Sequence, residues 1–372
     1  MTLLIAILLA ALAGGKPRAR DLGVPFDGTP GPLNAITDVK GVTVGHSTII
    51  RVEGDLHVGQ GPVRTGVTAV LPRGRSTLNE SAFAGWYALN GAGEMTGTTW
   101  VEESGLLEGP VMLTNTHSVG AVHQGTIAWR IRQGGPDATG YFWSTPVVAE
   151  TWDGELNDIN GFHVTEGNVS EALSSARAGR VIEGSVGGGT GMICNGFKGG
   201  IGTASRILPD SAGGYTVGAL VQCNYGRKAD LRIAGVPVGR EIAGAGARDE
   251  DNGSIIVVLA TDAPLLPHQL KRMARRVPLG LARDGAIASN GSGDIFIAFS
   301  TANPNAGRTE GTVALSMLPN DRLDPLFAAA VQCVEEAVVN AMIAAETMTG
   351  ANGRTVRALP HAELQRILRK YG

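Results

Sequence analysis

Ser254 stands where a nucleophile can be made. The turn Asp251-Asn252-Gly253 runs straight into Ser254 and then into Ile255-Ile256-Val257-Val258-Leu259, which reads as a buried strand. A hydroxyl at the edge of such a strand can attack the Gly253 carbonyl and shift the acyl group from N to O, and glycine tolerates the strained backbone this needs. Hydrolysis of that ester leaves Ser254 as a new N-terminus. Its α-amine, with an ordinary pKa of ~7.7–8, can then help deprotonate the adjacent hydroxyl. A serine that merely opens a core strand is the plainer reading, and local sequence alone favours it. A second cluster, Ser289-Asn290-Gly291-Ser292-Gly293-Asp294, precedes the strand Ile295-Phe296-Ile297. Ser292 and Asp294 are two apart, on one side of an extended chain. A hydroxyl backed by a carboxylate can relay protons to a nucleophile on a neighbouring strand. It is also what a polar turn looks like.

Other chemistries fit less well. The seven histidines are scattered, and the nearest pair, His117 and His123, falls on different faces of a helix, so no metal site is expected. No GxSxG elbow is present. Residues 184–202 are the richest in glycine, with Gly187-Gly188-Gly189-Thr190-Gly191 at their centre. Bare backbone N–H groups can cradle a phosphate, but Lys198 is followed by Gly199, and neither phosphate-loop spacing is met. A tight crossing or a substrate-channel loop is the better reading. Lys271, Arg272, Arg275 and Arg276 read as the solvated face of a helix rather than a phosphate patch.

The elements that must position these residues are short strands punctuated by glycine. Strands are expected at 42–50, 66–71, 110–114, 145–151, 215–223, 254–260 and 295–300. Helices are expected from 117 to 132, at 169–178, 267–277 and 325–348, the last apolar around most of its circumference and so buried between layers. Glycine supplies 54 of 372 residues, about twice the usual ~7%, while charged residues make up only 17%. Such a chain buries much of itself, and an oligomer would suit it. A net charge of −3 offers no general attraction to nucleic acid or an anionic membrane. Three cysteines, Cys194, Cys223 and Cys333, form no CxxC pair, so no disulfide framework is expected. The apolar run at 3–13 ends in an Ala-x-Ala pattern and is too short to span a bilayer. It resembles the end of a secretory leader, which makes residues 14 onward the mature protein and the location periplasmic or extracellular; a buried N-terminal segment and a cytoplasmic location are the alternative.

Several long motifs, in order from about residue 18 to the end, carry a resemblance. They include Arg20-Asp21-Leu22-Gly23-Val24, Asn34-Ala35-Ile36-Thr37-Asp38-Val39, Thr114-Asn115-Thr116 and Pro146-Val147-Val148-Ala149-Glu150-Thr151. Leu156-Asn157-Asp158, Val221-Gln222-Cys223-Asn224, Ala260-Thr261-Asp262-Ala263-Pro264-Leu265 and Glu346-Thr347-Met348-Thr349-Gly350-Ala351-Asn352 continue the series. The chain resembles the β-aminopeptidases and L-aminopeptidase/D-amidase-esterases. That resemblance implies a precursor that cuts itself before the nucleophilic serine, into a heavy chain (14–253) and a light chain (254–372) forming one domain. It implies an α/β fold, a four-layer αββα sandwich resembling that of the N-terminal-nucleophile hydrolases with different strand connections. It further implies homotetramers of cut units and no metal or organic cofactor.

Carried over residue by residue, Ser254 matches the nucleophile and Gly253-Ser254 the self-cleavage site. Ser292 matches a second serine, and Asp294 stands where some members have glutamate. Asn224 matches the amide that stabilises the oxyanion, and Glu150 the carboxylate that grips the substrate's free amine. The implied substrate is a short peptide, amide or ester with a free N-terminal amine, its first residue α-L-, β- or D-configured. Two departures stand out. Trp152 occupies the place of a tyrosine whose hydroxyl lies near the oxyanion in some members, and Cys223 replaces a more usual alanine, which suggests small-residue packing. Whether the α-amine or the Ser292–Asp294 pair takes the proton stays open. The competing readings are a relative of the ornithine-type acetyltransferases, whose nucleophile is threonine, and an unprocessed binding protein of the same fold.

Overall fold

The computed structural model describes residues 16–76, 80–244, 246–247, 250 and 253–372. The leader-like run at 3–13 and the Asp251-Asn252 turn lie outside the described residues. The strands, in chain order, are β1 (Thr43–Arg51), β2 (Val63–Leu71), β3 (Ala82–Ala88), β4 (Leu106–Leu107), β5 (Val111–Asn115) and β6 (Val147–Thr151). There follow β7 (Ile193–Cys194), β8 (Phe197–Lys198), β9 (Gly200–Ile207), β10 (Thr216–Asn224), β11 (Ser254–Thr261) and β12 (Asp294–Ser300). The helices that build the layers are α1 (Val119–Arg132), α2 (Glu166–Ser175), α3 (Pro267–Ala274), α4 (Val277–Arg283), α5 (Asp324–Ile343) and α6 (His361–Tyr371).

Two sheets stack face to face. One is ordered β1-β2-β5-β6 and the other β4-β3-β12-β11-β10-β9. The alternation along β11 explains the stacking. Ile256, Val258 and Ala260 meet Val70, Val111, Leu113, Val147 and Ala149 of the other sheet. Ile255, Val257 and Leu259 face the opposite way, onto Leu270, Met273, Leu281, Val334 and Val338 of α3, α4 and α5. A strand apolar on both faces belongs in the middle of a sheet that is covered on both sides. On the far side, Val67, Ala69, Met112 and Val148 pack on Val122 and Trp129 of α1 and Val169 and Leu173 of α2. The order is therefore helix, sheet, sheet, helix, the four-layer sandwich expected.

The expected elements appear with shifted ends, and strands β3, β4, β7, β8 and β9 and helix α6 lie where no element was expected. The helix at 267–277 breaks at Arg275-Arg276 into α3 and α4, and the last long helix stops at Ile343. α5 is long and apolar enough to cross a membrane, yet it lies buried against β9 and β10. The basic cluster stays at the surface, as expected of a solvated helix face, with Arg275 exposed and the other three half-buried. Lys271 pairs with Glu102 at 2.6 Å, Arg272 and Arg276 lie over the Phe327 ring, and Arg275 over Tyr87. The glycine run is a tight crossing. Gly187–Gly189 form one buried turn between the sheets, and a Cβ on Gly188 would sit 2.2 Å from Gln222 Oε1 and 2.7 Å from the Leu113 carbonyl.

One sequence expectation is overturned. Cys194 and Cys223 form a disulfide across a Cα–Cα distance of 5.6 Å, leaving Cys333 as the buried free thiol. The pair is 29 residues apart and meets only because β7 folds back beside the end of β10, which no spacing rule anticipates. Cys223 is thus a cross-link as well as a small packing residue.

Candidate active site

Four strand ends converge. Ser254 is the first residue of β11 and lies opposite Asn224, the last of antiparallel β10. Directly opposed residues project to the same face, so hydroxyl and amide face the interlayer together, both buried. β12 runs parallel to β11 with Asp294 aligned to Ile255, which sets Gly293 beside Ser254. The Gly293 N–H donates to Ser254 Oγ at 3.0 Å. Only glycine fits there, since a Cβ would meet the Ala92 carbonyl at 2.5 Å and Gly93 Cα at 2.6 Å.

Ser292 and Asp294 are joined as their spacing predicts. Ser292 Oγ donates to Asp294 Oδ1 at 2.6 Å, both side chains buried. Asn90 holds the carboxylate's surroundings, accepting from the Asp294 N–H at 2.6 Å and donating to Oδ2 at 3.4 Å. In the uncut chain the pair is linked to Ser254 through the intervening Gly293 peptide rather than by a side-chain hydrogen bond.

Asn224 is held on both sides. Its Oδ1 accepts from the Ile193 N–H at 2.8 Å, and its Nδ2 donates to the Trp152 carbonyl at 2.8 Å. The first bond fixes which end of the amide is nitrogen. The second ties Asn224 to the segment that follows β6.

Glu150 sits near the end of β6, 3% exposed. Its Oε1 accepts from the Glu94 N–H at 2.9 Å, and Oε2 accepts from the Thr116 hydroxyl. Among the described residues no lysine or arginine pairs with it. Burial pushes its pKa above the ordinary carboxylate range, against the hydrogen bonds from Thr116 and Glu94, and the Glu94 charge adds to the rise. A buried carboxylate with no cation is an incomplete ion pair. Thr116 reaches it because Asn115 caps the turn after β5, accepting from the Ser118 N–H at 3.0 Å and donating to Thr65 at 2.7 Å. Gly93 packs between the two halves of the site, its Cβ position 3.3 Å from Glu150 Oε1 and 3.1 Å from Gly293 Cα.

Comparison with known proteins places the whole chain in a family. The model of peptidase family S58 matches residues 34–356. The chain belongs to peptidase family S58. It is 54% identical, over 99% of its length and 96% of the relative's, to beta-peptidyl aminopeptidase BapA of Sphingosinicella microcystinivorans. Among solved structures it resembles the L-aminopeptidase D-Ala-esterase/amidase of Ochrobactrum anthropi with a TM-score of 0.88 and 51% identity, over 96% of this chain and 99% of that one. That enzyme is described as a prototype of the serine aminopeptidases and a variant of the Ntn-hydrolase fold. A Burkholderia beta-aminopeptidase matches with a TM-score of 0.87 and 47% identity, again over 96% and 99%. This S58 chain is a serine aminopeptidase with an N-terminal nucleophile.

Sequence reasoning missed several residues of the S58 site. Asn90, Gly93, Thr116 and the Gly293 N–H all touch the expected residues; Asn90 and Gly93 stand in no pattern that signals chemistry, while Thr116 and Gly293 lie inside quoted motifs without a role of their own. Trp152 is 37% exposed and meets the His117 ring edge-on at 5.6 Å, with Phe162 stacked on His117 at 6.2 Å. This aromatic row adjoins Glu150 through His117.

Asp153, next to Trp152, was also missed. Fully buried, its carboxyl is pushed up to about 7 by burial, against hydrogen bonds from Thr65, Asn157 and Asn115. A folded-state pKa raised above 3.8 means the native state holds this proton more tightly than the unfolded chain. The stabilisation it gives is complete below the unfolded pKa and is lost as pH rises through about 7. Asp153→Asn removes that titration, so its melting temperature should gain on wild type between pH 5 and pH 8. A difference that stays constant over that range would show that Asp153 is not the titrating group.

Proposed function

We propose that this S58 peptidase cuts itself between Gly253 and Ser254 and then releases the first residue of peptides, amides or esters through an acyl-enzyme on Ser254. The observation that carries the reading is the convergence of Ser254, Asn224 and the Gly293 N–H at adjacent strand ends, beside a buried carboxylate that pairs with no lysine or arginine among the described residues. In the uncut chain the Ser254 nitrogen is a peptide amide and cannot serve as a base. Ser292–Asp294 is the pair placed to assist the first N-to-O shift, and the α-amine becomes available after it. In turnover, Ser254 Oγ attacks the substrate carbonyl as its proton passes to that amine or to Ser292–Asp294. The proton then goes to the leaving amine, and water hydrolyses the ester. Asn224 Nδ2 donates to the developing oxyanion.

Removing one such donor costs ~10²–10³ in kcat. Asn224→Ala should lose that much, and its maturation should slow because the same site stabilises both tetrahedral intermediates. A variant that is fully cut and within a few-fold of wild type would place the oxyanion hole elsewhere. The relatives' names divide between β-peptidyl and L-aminopeptidase/D-alanyl chemistry. Rates on L-Ala, D-Ala and β-homoamino-acid p-nitroanilides assign this chain among them, and hydrolysis of none of the three would overturn the reading.

The buried disulfide suits an oxidising compartment, which supports export with residues 14 onward as the mature protein. A protein found only in the cytoplasm with residues 1–13 attached would count against it. A homotetramer of cut units is proposed with it; a sedimentation mass near that of one chain would exclude this.

A further inference from the structure

We propose that the Cys194–Cys223 disulfide is a positioning device for Asn224, setting the orientation of its amide. The inference rests on Asn224 being the oxyanion donor. Each cysteine is the chain neighbour of one partner in a single hydrogen bond. Cys194 follows Ile193, whose N–H donates to Asn224 Oδ1 at 2.8 Å, and Cys223 precedes Asn224 itself. The cross-link therefore fixes donor and acceptor in one covalent frame.

The frame is needed because β7 is weak by itself. It pairs over two residues with β8 around a turn in which Asn195 (φ 47°) and Gly196 (φ 74°) are both left-handed. A two-stranded ribbon of that length is marginal alone in water, and this one is held by burial, with Ile193 1% and Cys194 0% exposed, together with the disulfide. Just past the end of β10 the Asn195 N–H donates to the Tyr225 carbonyl at 2.6 Å, and within the ribbon Lys198 Nζ donates to the Met192 carbonyl at 2.7 Å. Along β10 Cys223 faces the helical layer while Asn224 faces the interlayer, so the sulfur bridge anchors the strand from behind without entering the site. If Ile193 drifts, the bond that holds Oδ1 is lost, and the Trp152 carbonyl holds the amide from the Nδ2 side. A rotated amide would turn Oδ1, an acceptor, toward an oxyanion that needs a donor.

A plain staple and a positioning device differ in what they move. A staple lowers the melting temperature and leaves each folded site at full speed, whereas a positioning device lowers kcat and spares KM. The experiment uses cut enzyme bearing Cys194→Ala, Cys223→Ala or both, with active sites counted by burst titration and Ala-p-nitroanilide as substrate. Misplacement by ~1 Å can cost up to ~10²-fold, so kcat per site should fall roughly tenfold or more. KM should hold within about twofold, and the three variants should match because each removes the same bond. In an Asn224→Ala background the cysteine substitutions should change nothing further. Where a variant fails to mature, wild-type enzyme reduced after maturation by a water-soluble phosphine gives the same comparison. The phosphine supplies two electrons and leaves as its oxide, with oxygen from water, and both sulfurs become thiols.

Thiol titration of the denatured wild type should find one thiol, Cys333. Three thiols, or cysteine variants with undiminished kcat alongside a crippled Asn224→Ala, would overturn the positioning role while leaving Asn224 in place. An Asn224→Ala enzyme near wild-type speed would overturn the oxyanion assignment and this inference with it.

Discussion

Ser254→Ala should emerge as one uncut chain without peptidase activity, while the wild type separates into a heavy chain ending at Gly253 and a light chain of 119 residues (372 − 253). The two losses go together because a single oxygen performs both reactions. It attacks the Gly253 carbonyl once and each substrate carbonyl thereafter. The substitution leaves the fold intact: Ser254 is 4% exposed, its backbone stays in register with Asn224, and alanine fits wherever serine does. What it removes is the acceptor for the Gly293 N–H, at a cost of ~1–3 kcal/mol for a buried donor left unpaired. That is small against the stability of two stacked sheets. Activity should fall by roughly 10⁴-fold or more, the loss expected when a nucleophile is deleted. Mass spectrometry and p-nitroanilide hydrolysis read both outcomes. Cleavage of Ser254→Ala at Gly253 would remove Ser254 from the nucleophile's place, and a wild type that stays whole would favour the binding-protein reading.

The parts of the fold legible in sequence are those whose side chains carry a period. β11 reads as a strand because Ile255 to Leu259 are all branched and apolar, and burial on both faces follows from the same run. β3 and β9 escape because glycine interrupts each of them for a reason outside the strand. Gly202 of β9 lies under α5, where a Cβ would meet the Ala337 carbonyl at 2.0 Å, and Gly85 of β3 lies under α3, 2.4 Å from the Lys271 N–H. Close helix packing selects glycine there, and glycine erases the strand signal. The site divides in the same way. Ser292 and Asp294 are neighbours in sequence, and their 2.6 Å bond follows from their spacing. Asn224 and Ser254 are brought together by strand register, and Glu150 joins them through the stacking of the two sheets. Local pattern offers the nucleophile's role for Ser254 as one reading, and the family resemblance supplies the roles of Asn224 and Glu150. The disulfide was hidden for the same cause: Cys194 and Cys223 become neighbours when Ile193 docks on Asn224.

An enzyme whose buried carboxylate waits for a cation should reject a substrate that brings none. Ala149 and Val148 before Glu150 are wholly buried, and its two oxygens are met by a hydroxyl and a backbone N–H, neither of which neutralises the charge. The substrate's ammonium completes the pair; an N-acetyl group leaves the carboxylate desolvated and unmatched. Breaking a buried pair in this way costs ~3–5 kcal/mol, which corresponds to roughly 10²–10⁴ in kcat/KM. Acetylated Ala-p-nitroanilide should be slower by that factor, and Glu150→Gln should lose a similar factor on the free amine. Cleavage at Gly253 should persist in Glu150→Gln, since the precursor's own peptide has no free amine to hold. The pH dependence has a definite sign. As pH falls through the Glu150 pKa, which burial places above the ordinary carboxylate range, the carboxyl takes up a proton and its hold on the ammonium is lost. KM for the free amine should therefore climb on the acid side at a higher pH than an exposed glutamate would allow, and Glu150→Gln should abolish that limb. Equal hydrolysis of acetylated and free substrates by wild type would make Glu150 structural and remove the reason this site acts only at a chain's first residue.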